Sequence, residues 1–142
     1  MLVCVQGTEE GELCGEIYSC YLKDPIWFRG VGDLVLKLDE MCNWVGMPHA
    51  TTDPRFLNLE TERRYREASS HHPQADRSNL TYTMDQIPFK QALKAREVLI
   101  VYVKYRQFSS LQGSIRGKIT KGKVVNFRSA LELMRMISMI QL

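Results

Sequence analysis

Apolar residues recur with period two from Leu99 to Arg106, where Leu99, Val101, Val103 and Tyr105 share one side of an extended chain. After the polar loop Gln107 to Gln112 the alternation resumes. Ile115, Gly117 and Ile119 face one way, and Arg116, Lys118 and Thr120 face the other. A Lys121-Gly122-Lys123 turn leads into a third strand, with Val125 and Phe127 inward and Val124, Asn126 and Arg128 outward. The period then becomes helical. Ser129 and Glu132 have capping-box spacing, in which the two side chains reciprocally satisfy orphan backbone donors. Ala130, Leu133, Met134, Ile137 and Ile140 supply the apolar stripe. The order is strand, strand, strand, helix.

The same order is legible at the start of the chain. At an offset of 98, Val3, Val5, Leu13, Gly15 and Ile17 meet identical residues at Val101, Val103, Leu111, Gly113 and Ile115, and Leu2 meets Ile100. One residue is then inserted, in the turns Lys23-Asp24-Pro25 and Lys121-Gly122-Lys123, where length changes cost least. Beyond it the offset is 99: Phe28, Arg29 and Leu34 meet Phe127, Arg128 and Leu133. The first helix has Gly30 at its cap, Asp33 in its first turn, and Val31, Leu34, Val35, Leu38 and Met41 as its stripe.

A unit of about 40 residues buries too little surface to stand alone. The pattern therefore predicts one α+β domain over 1–142, an internally duplicated βββα unit. Two antiparallel three-stranded meanders, joined edge to edge or face to face, share one core with two main helices. The copies span 2–45 and 98–142. Between them, 46–97 is a polar, partly flexible segment with a short helix near 86–97, where Phe89, Ala92, Leu93 and Arg96 follow Pro88 at helical spacing. Residues 60–77 are expected to carry little burial, with Phe56, Leu57, Leu59 and Tyr65 docking one end.

Charge adds an asymmetry. The formal net charge is +3, but residues 1–60 carry 4 Lys/Arg against 10 Asp/Glu and residues 61–142 carry 15 against 6. Such polarity suits an anionic partner for the basic half, or pairing of the halves with each other. Hydrophobic residues at 44% and charged ones at 25% exclude wholesale disorder. No apolar run approaches the ~18 residues of a membrane span, and the first ten residues lack the basic character of a secretory signal, so the expected location is the cytoplasm, without membrane attachment. Cys4, Cys14, Cys20 and Cys42 form no C-x-x-C pair, and His49, His71 and His72 complete no zinc spacing. Free, mostly buried thiols and no metal site are expected.

No catalytic motif emerges: there is no G-x-S-x-G, Walker loop or dinucleotide fingerprint, and no cofactor is expected. The pairs Arg29/Asp33 and Arg128/Glu132 read as local i,i+4 ion pairs at helix starts. Between the first and second strands the copies diverge. In Arg106-Gln107-Phe108-Ser109-Ser110-Leu111-Gln112-Gly113, Leu111 and Gly113 are shared with the first copy and read as an apolar anchor and a turn residue. Arg106, Gln107, Ser110 and Gln112 are peculiar to the second copy. They are candidate binding residues, or else cap their own loop. The outward cations Arg116, Lys118 and Lys123, with Lys121 and Arg128, could follow a phosphate backbone beside Tyr102, or form a solvated face that discourages edge pairing.

This loop, followed by Phe127-Arg128-Ser129 and Leu131-Glu132-Leu133, resembles a family of short, uncharacterised proteins from clostridial and related Gram-positive bacteria. In that family the loop reads R-Q-N-x-S-W-Q-G and the helix start F-R-S-x-L-E-L. The present chain has Phe108 for the asparagine and Leu111 for the tryptophan. The resemblance implies a fold unit rather than an activity. The sequence thus points first to a non-enzymatic binding or adaptor module for a protein partner, and second to a nucleic-acid-binding protein using the basic face of the second copy. It leaves the oligomeric state open.

Overall fold

The computed structural model describes residues 1–70 and 89–142, with side chains over 1–70 and from residue 92 onward. Three strands, β1 (Leu2–Glu9), β2 (Glu12–Tyr18) and β3 (Ile26–Arg29), lead into helix α1 (Val31–Val45). A surface helix, α2 (Leu59–Ser70), and a short one, α3 (Phe89–Lys94), precede β4 (Glu97–Tyr105), β5 (Gln112–Gly117), β6 (Val125–Phe127) and α4 (Ala130–Ser138). The strands form one antiparallel six-stranded sheet in the order β3-β2-β1-β4-β5-β6, so the protein is α+β. The two groups of strands join edge to edge, with Leu2 opposite Ile100 and Val3 opposite Leu99.

Alternation decides which face is covered. Val3, Val5, Ile17, Phe28, Leu99, Val101, Ile115 and Phe127 are buried in one cluster with Leu34, Leu38 and Met41 of α1 and Leu133 and Ile137 of α4. The opposite face keeps Trp27, Ile100 and Tyr102 exposed, at 46%, 52% and 59%.

Two bulges interrupt this alternation, between Val5 and Gly7 in β1 and between Val103 and Tyr105 in β4. The second corrects the expected inward phase of Tyr105, which is 57% exposed, and turns Arg106 inward instead. Gly113 is likewise no turn residue: it pairs with Val103 inside β5. A Cβ there would stand 1.9 Å from the Tyr102 carbonyl oxygen, and one on Gly15 would stand 2.0 Å from that of Cys4. Close backbone approach, not a turn, demands glycine at both.

Helix starts depart from expectation in detail. Ser129 Oγ accepts the Glu132 N–H at 3.1 Å, but the Glu132 carboxylate accepts the N–H of Arg128, not that of Ser129. Asp33 does the same for the Arg29 N–H at 2.9 Å. The Arg29 guanidinium turns to Glu10 and Glu12, while Asp33 pairs with Lys37, so the expected Arg29–Asp33 ion pair does not form. Arg128 and Glu132 do approach, at 3.6 Å.

The expected helix near 86–97 ends at Lys94, because Arg96 N–H donates to the Val5 carbonyl and draws the chain into the sheet. Glu97 begins β4, buried, and its carboxylate accepts the Lys118 N–H at 2.9 Å. Residues 86–88 lie outside the described ones, as do residues 71–77 of the segment expected to be lightly buried. Helix α2 has no buried residue. It is tied to α1 by Asn43 bonding to Tyr65 and Ser69 and by Trp44 Nε1 donating to the Ala68 carbonyl. Phe56 packs on Tyr65, whose hydroxyl meets Asn43 of α1, whereas Leu57 and Leu59, also expected to dock, are 98% and 83% exposed.

All four cysteines are free, with Cys4, Cys14 and Cys42 buried and Cys20 exposed. Burial pushes the Cys4 and Cys42 thiols up to about 11, with Glu16 adding to the effect at Cys4. In the unfolded chain both would ionise from about pH 9, whereas the fold holds the neutral form. That contribution to stability is complete below pH 9 and lost as pH rises toward 11. At pH 8 a thiol reagent should modify Cys20 first and reach Cys4 and Cys42 only on unfolding; mass spectrometry of the labelled peptides gives the order.

Candidate interaction surface

The loop singled out by the sequence is tied into the fold at every polar position. Arg106 is 5% exposed; its Nε donates to Asp39 Oδ1 of α1 at 2.8 Å and its Nη1 to the Pro48 carbonyl at 3.3 Å. Its own carbonyl accepts the Thr51 N–H, strapping the chain that follows α1 to the end of β4. Gln112 closes the loop from within, Oε1 accepting the Gln107 N–H at 2.9 Å and Nε2 donating to the Gln107 carbonyl at 3.0 Å. Ser110 Oγ accepts the Ala130 N–H, satisfying an orphan donor at the start of α4. Leu111, 2% exposed, is the apolar anchor.

Three polar side chains, Arg106, Gln112 and Ser110, thereby brace the loop against α1, against itself and against α4, while Gln107 takes part through its backbone and its side chain is exposed. The tip remains outside. Phe108 and Ser109 have φ of 56° and 52°, and the Phe108 ring is 85% exposed. Ser109 is held by Thr52, whose Oγ1 accepts its N–H at 2.9 Å.

The outward cations do not form one track. Arg116 stands exposed in the middle of β5, and Lys118, Lys121 and Lys123 gather at the β5–β6 turn. Arg128, 91% exposed, lies at the other end of β6 beside α4. From Gln112, at that end, to Lys118 the strand runs roughly 20 Å.

The open sheet face brings other residues together. Across its centre run Tyr18, Leu2, Ile100 and Arg116, paired in register on β2, β1, β4 and β5. Beside them Trp27 pairs with Glu16, and Glu16 with Cys4. On the other flank Tyr102 pairs with Ser114, and Ser114 with Asn126. Glu16 is fixed by Gln6 Nε2 at 2.9 Å and by the Tyr18 hydroxyl at 2.6 Å. Apolar groups therefore lie between a carboxylate on one side and a guanidinium on the other.

Sequence reasoning found Arg116 and Tyr102 but missed Trp27 and Ile100. The signal was present: both alternate with buried neighbours, Phe28 and Leu99 or Val101, and so must face outward.

Among the described residues no His, Cys, Asp and Glu side chains cluster to hold a metal ion, and no helix is long and apolar enough to cross a membrane. No known protein family, curated protein or solved structure matches the chain.

Proposed function

We propose that the chain is a non-enzymatic module that binds a protein partner through the open face of its sheet. The observation that supports this reading is the composition of that face: Ile100 and Tyr102 on β4, exposed between Glu16 of β2 and Arg116 of β5, with exposed Trp27 beyond Glu16 on β3. Aromatic and aliphatic groups ringed by both signs of charge suit a protein surface, where a few desolvated anchors carry the binding energy. A phosphate backbone would favour one sign.

The scaffold in this reading is an internally duplicated βββα unit. The two bulges support it, falling at Val5/Gly7 and Val103/Tyr105, each pair 98 residues apart. So do the tight glycines Gly15 and Gly113, and the carboxylates that take the Arg29 and Arg128 N–H groups, 99 residues apart. Copy 1 is acidic and copy 2 basic, so divergence after duplication would give one face two electrostatic ends.

A photo-crosslinking side chain at Tyr102, compared with one at the exposed helical position Leu36, tests the face in cells. Expected are protein adducts at Tyr102 that disappear when Ile100 is replaced by aspartate. Nucleic-acid adducts at Tyr102, or equal labelling from both positions, would overturn the proposal.

A second reading, binding to single-stranded nucleic acid, draws on the half-face of Tyr102, Ser114, Arg116 and Asn126, which holds a stacking ring and a cation without a carboxylate. Its signature is steep salt dependence of oligonucleotide binding between about 50 and 200 mM, lost on reversing Arg116 and Lys118 to glutamate. A protein partner should respond only modestly to the same change in salt.

A further inference from the structure

We propose that the sheet edge at β6, with the groove beside it, takes up an extended acidic peptide segment as an added strand. The proposal does not rest on binding at the open sheet face, although Asn126 borders both.

The two sheet edges, β3 and β6, are built alike up to one position. At each, the last strand residue or its successor gives its N–H to a carboxylate in the first turn of the next helix: Arg29 to Asp33 and Arg128 to Glu132. One helical turn beyond the carboxylate stands Lys37 in α1 but Met136 in α4. Lys37 Nζ bonds to Asp33 at 2.7 Å and to the Trp27 carbonyl at 2.8 Å, covering the outward backbone of β3. A lysine placed this way blunts an edge against further pairing.

At β6 no described residue replaces it. Because the Arg128 N–H points away from β5, the N–H and C=O of Asn126, two residues earlier, point the same way. They have no partner among the described residues.

Where the lysine would lie there is a shallow groove of about 360 Å³, lined by Asn126, Arg128, Glu132, Arg135, Met136 and Met139. A strand laid against β6 would direct every second side chain over Met136 and Met139, whose flexible thioethers adapt to varied shapes. The rim sets the charge. Arg128 and Arg135 are exposed there, with Lys121 and Lys123 at the turn, and the one lining carboxylate, Glu132, takes the Arg128 N–H and stands 3.6 Å from its guanidinium, leaving the rim with an excess of cations.

An acidic segment with apolar residues at alternate positions fits both the groove and the rim. A second copy of the chain fits neither. Its β6 would bring the same cations, and its β3 edge is already covered by Lys37. With a three-residue edge offering few backbone bonds, the groove and the arginines must supply most of the selectivity.

The test uses the full chain and a fluorescein-labelled peptide of alternating glutamate and leucine, read by fluorescence polarisation. Expected is saturable binding that weakens roughly tenfold or more when alternate backbone nitrogens of the peptide are methylated, since a paired strand needs those N–H groups. Met136→Lys, which installs the β3 arrangement, should weaken binding to a similar degree, while Met136→Leu should retain it. Arg128→Glu with Arg135→Glu provides a second variant at exposed positions, with folding checked by thermal melting. The Asn126 amide should gain protection from hydrogen exchange when peptide is bound. Absence of binding at about 1 mM peptide, or binding indifferent to N-methylation and to Met136→Lys, would overturn the proposal. So would a dimer that Met136→Lys dissociates, which would give the edge to a second copy.

Discussion

Truncating Phe127 to alanine should lower the unfolding free energy by ~3–5 kcal/mol, and Phe28→Ala should do the same. Both rings are buried, at 2% and 0% exposure, on the short outer strands. Each sits opposite a glycine that allows no side chain of its own: Phe28 pairs with Gly15 and Phe127 with Gly113. The glycines let neighbouring backbones approach closely, and at Gly113 the Phe127 ring stands where a Cβ would meet it at 3.0 Å. Removing a ring therefore opens a cavity that neither the glycine nor the three- or four-residue edge strand can fill. Against a typical domain stability of about 5–15 kcal/mol, either loss is a large fraction. Urea denaturation with an unchanged m-value would measure it, and a loss under about 1 kcal/mol at both sites would contradict this account of the core.

The alternation was legible because burial on one face leaves a two-residue period that does not depend on distant contacts. Phe28, Phe127 and the stripe Leu34, Leu38 and Met41 are inward for that reason. Bulges break the inference. Once the register slips after Val103, Tyr105 and Arg106 exchange the faces that strict alternation assigns them, and no local residue announces the slip. The loop Arg106 to Gln112 was therefore visible as a set of polar residues peculiar to one half that could cap their own backbone, as Gln112 does, but not as a brace to α1 and α4. Its partners, Asp39, Thr52 and the Ala130 N–H, lie 67, 57 and 20 residues away from the groups that meet them. The short reach of α3 follows the same rule: helical spacing in the sequence yields to a sheet bond from Arg96 to Val5. The contrast between Lys37 and Met136 was written in the chain, yet it acquires meaning only when both sites prove to be sheet edges.

Asp39→Ala should destabilise the protein more than Arg106→Met, although each removes one half of the same ion pair. Arg106 is the buried partner, at 5% exposure, while the Asp39 side chain keeps 33%. With the carboxylate gone, the guanidinium is left inside the fold with the Pro48 carbonyl, at 3.3 Å, as its remaining partner among the described residues, and the cost should be about 3 kcal/mol. With the guanidinium gone, methionine fills much of its volume and the half-open carboxylate can still reach water, so the cost should be about 1 kcal/mol. The double variant should therefore be no worse than Arg106→Met and more stable than Asp39→Ala, because removing the stranded charge relieves the larger penalty. Salt should change these differences little, since the cation is shielded from solvent. Equilibrium unfolding of the two single variants and the double completes the cycle. Equal losses for the two single variants, adding in the double, would mean that the pair is solvated in solution and that Arg106 is free to serve a ligand after all.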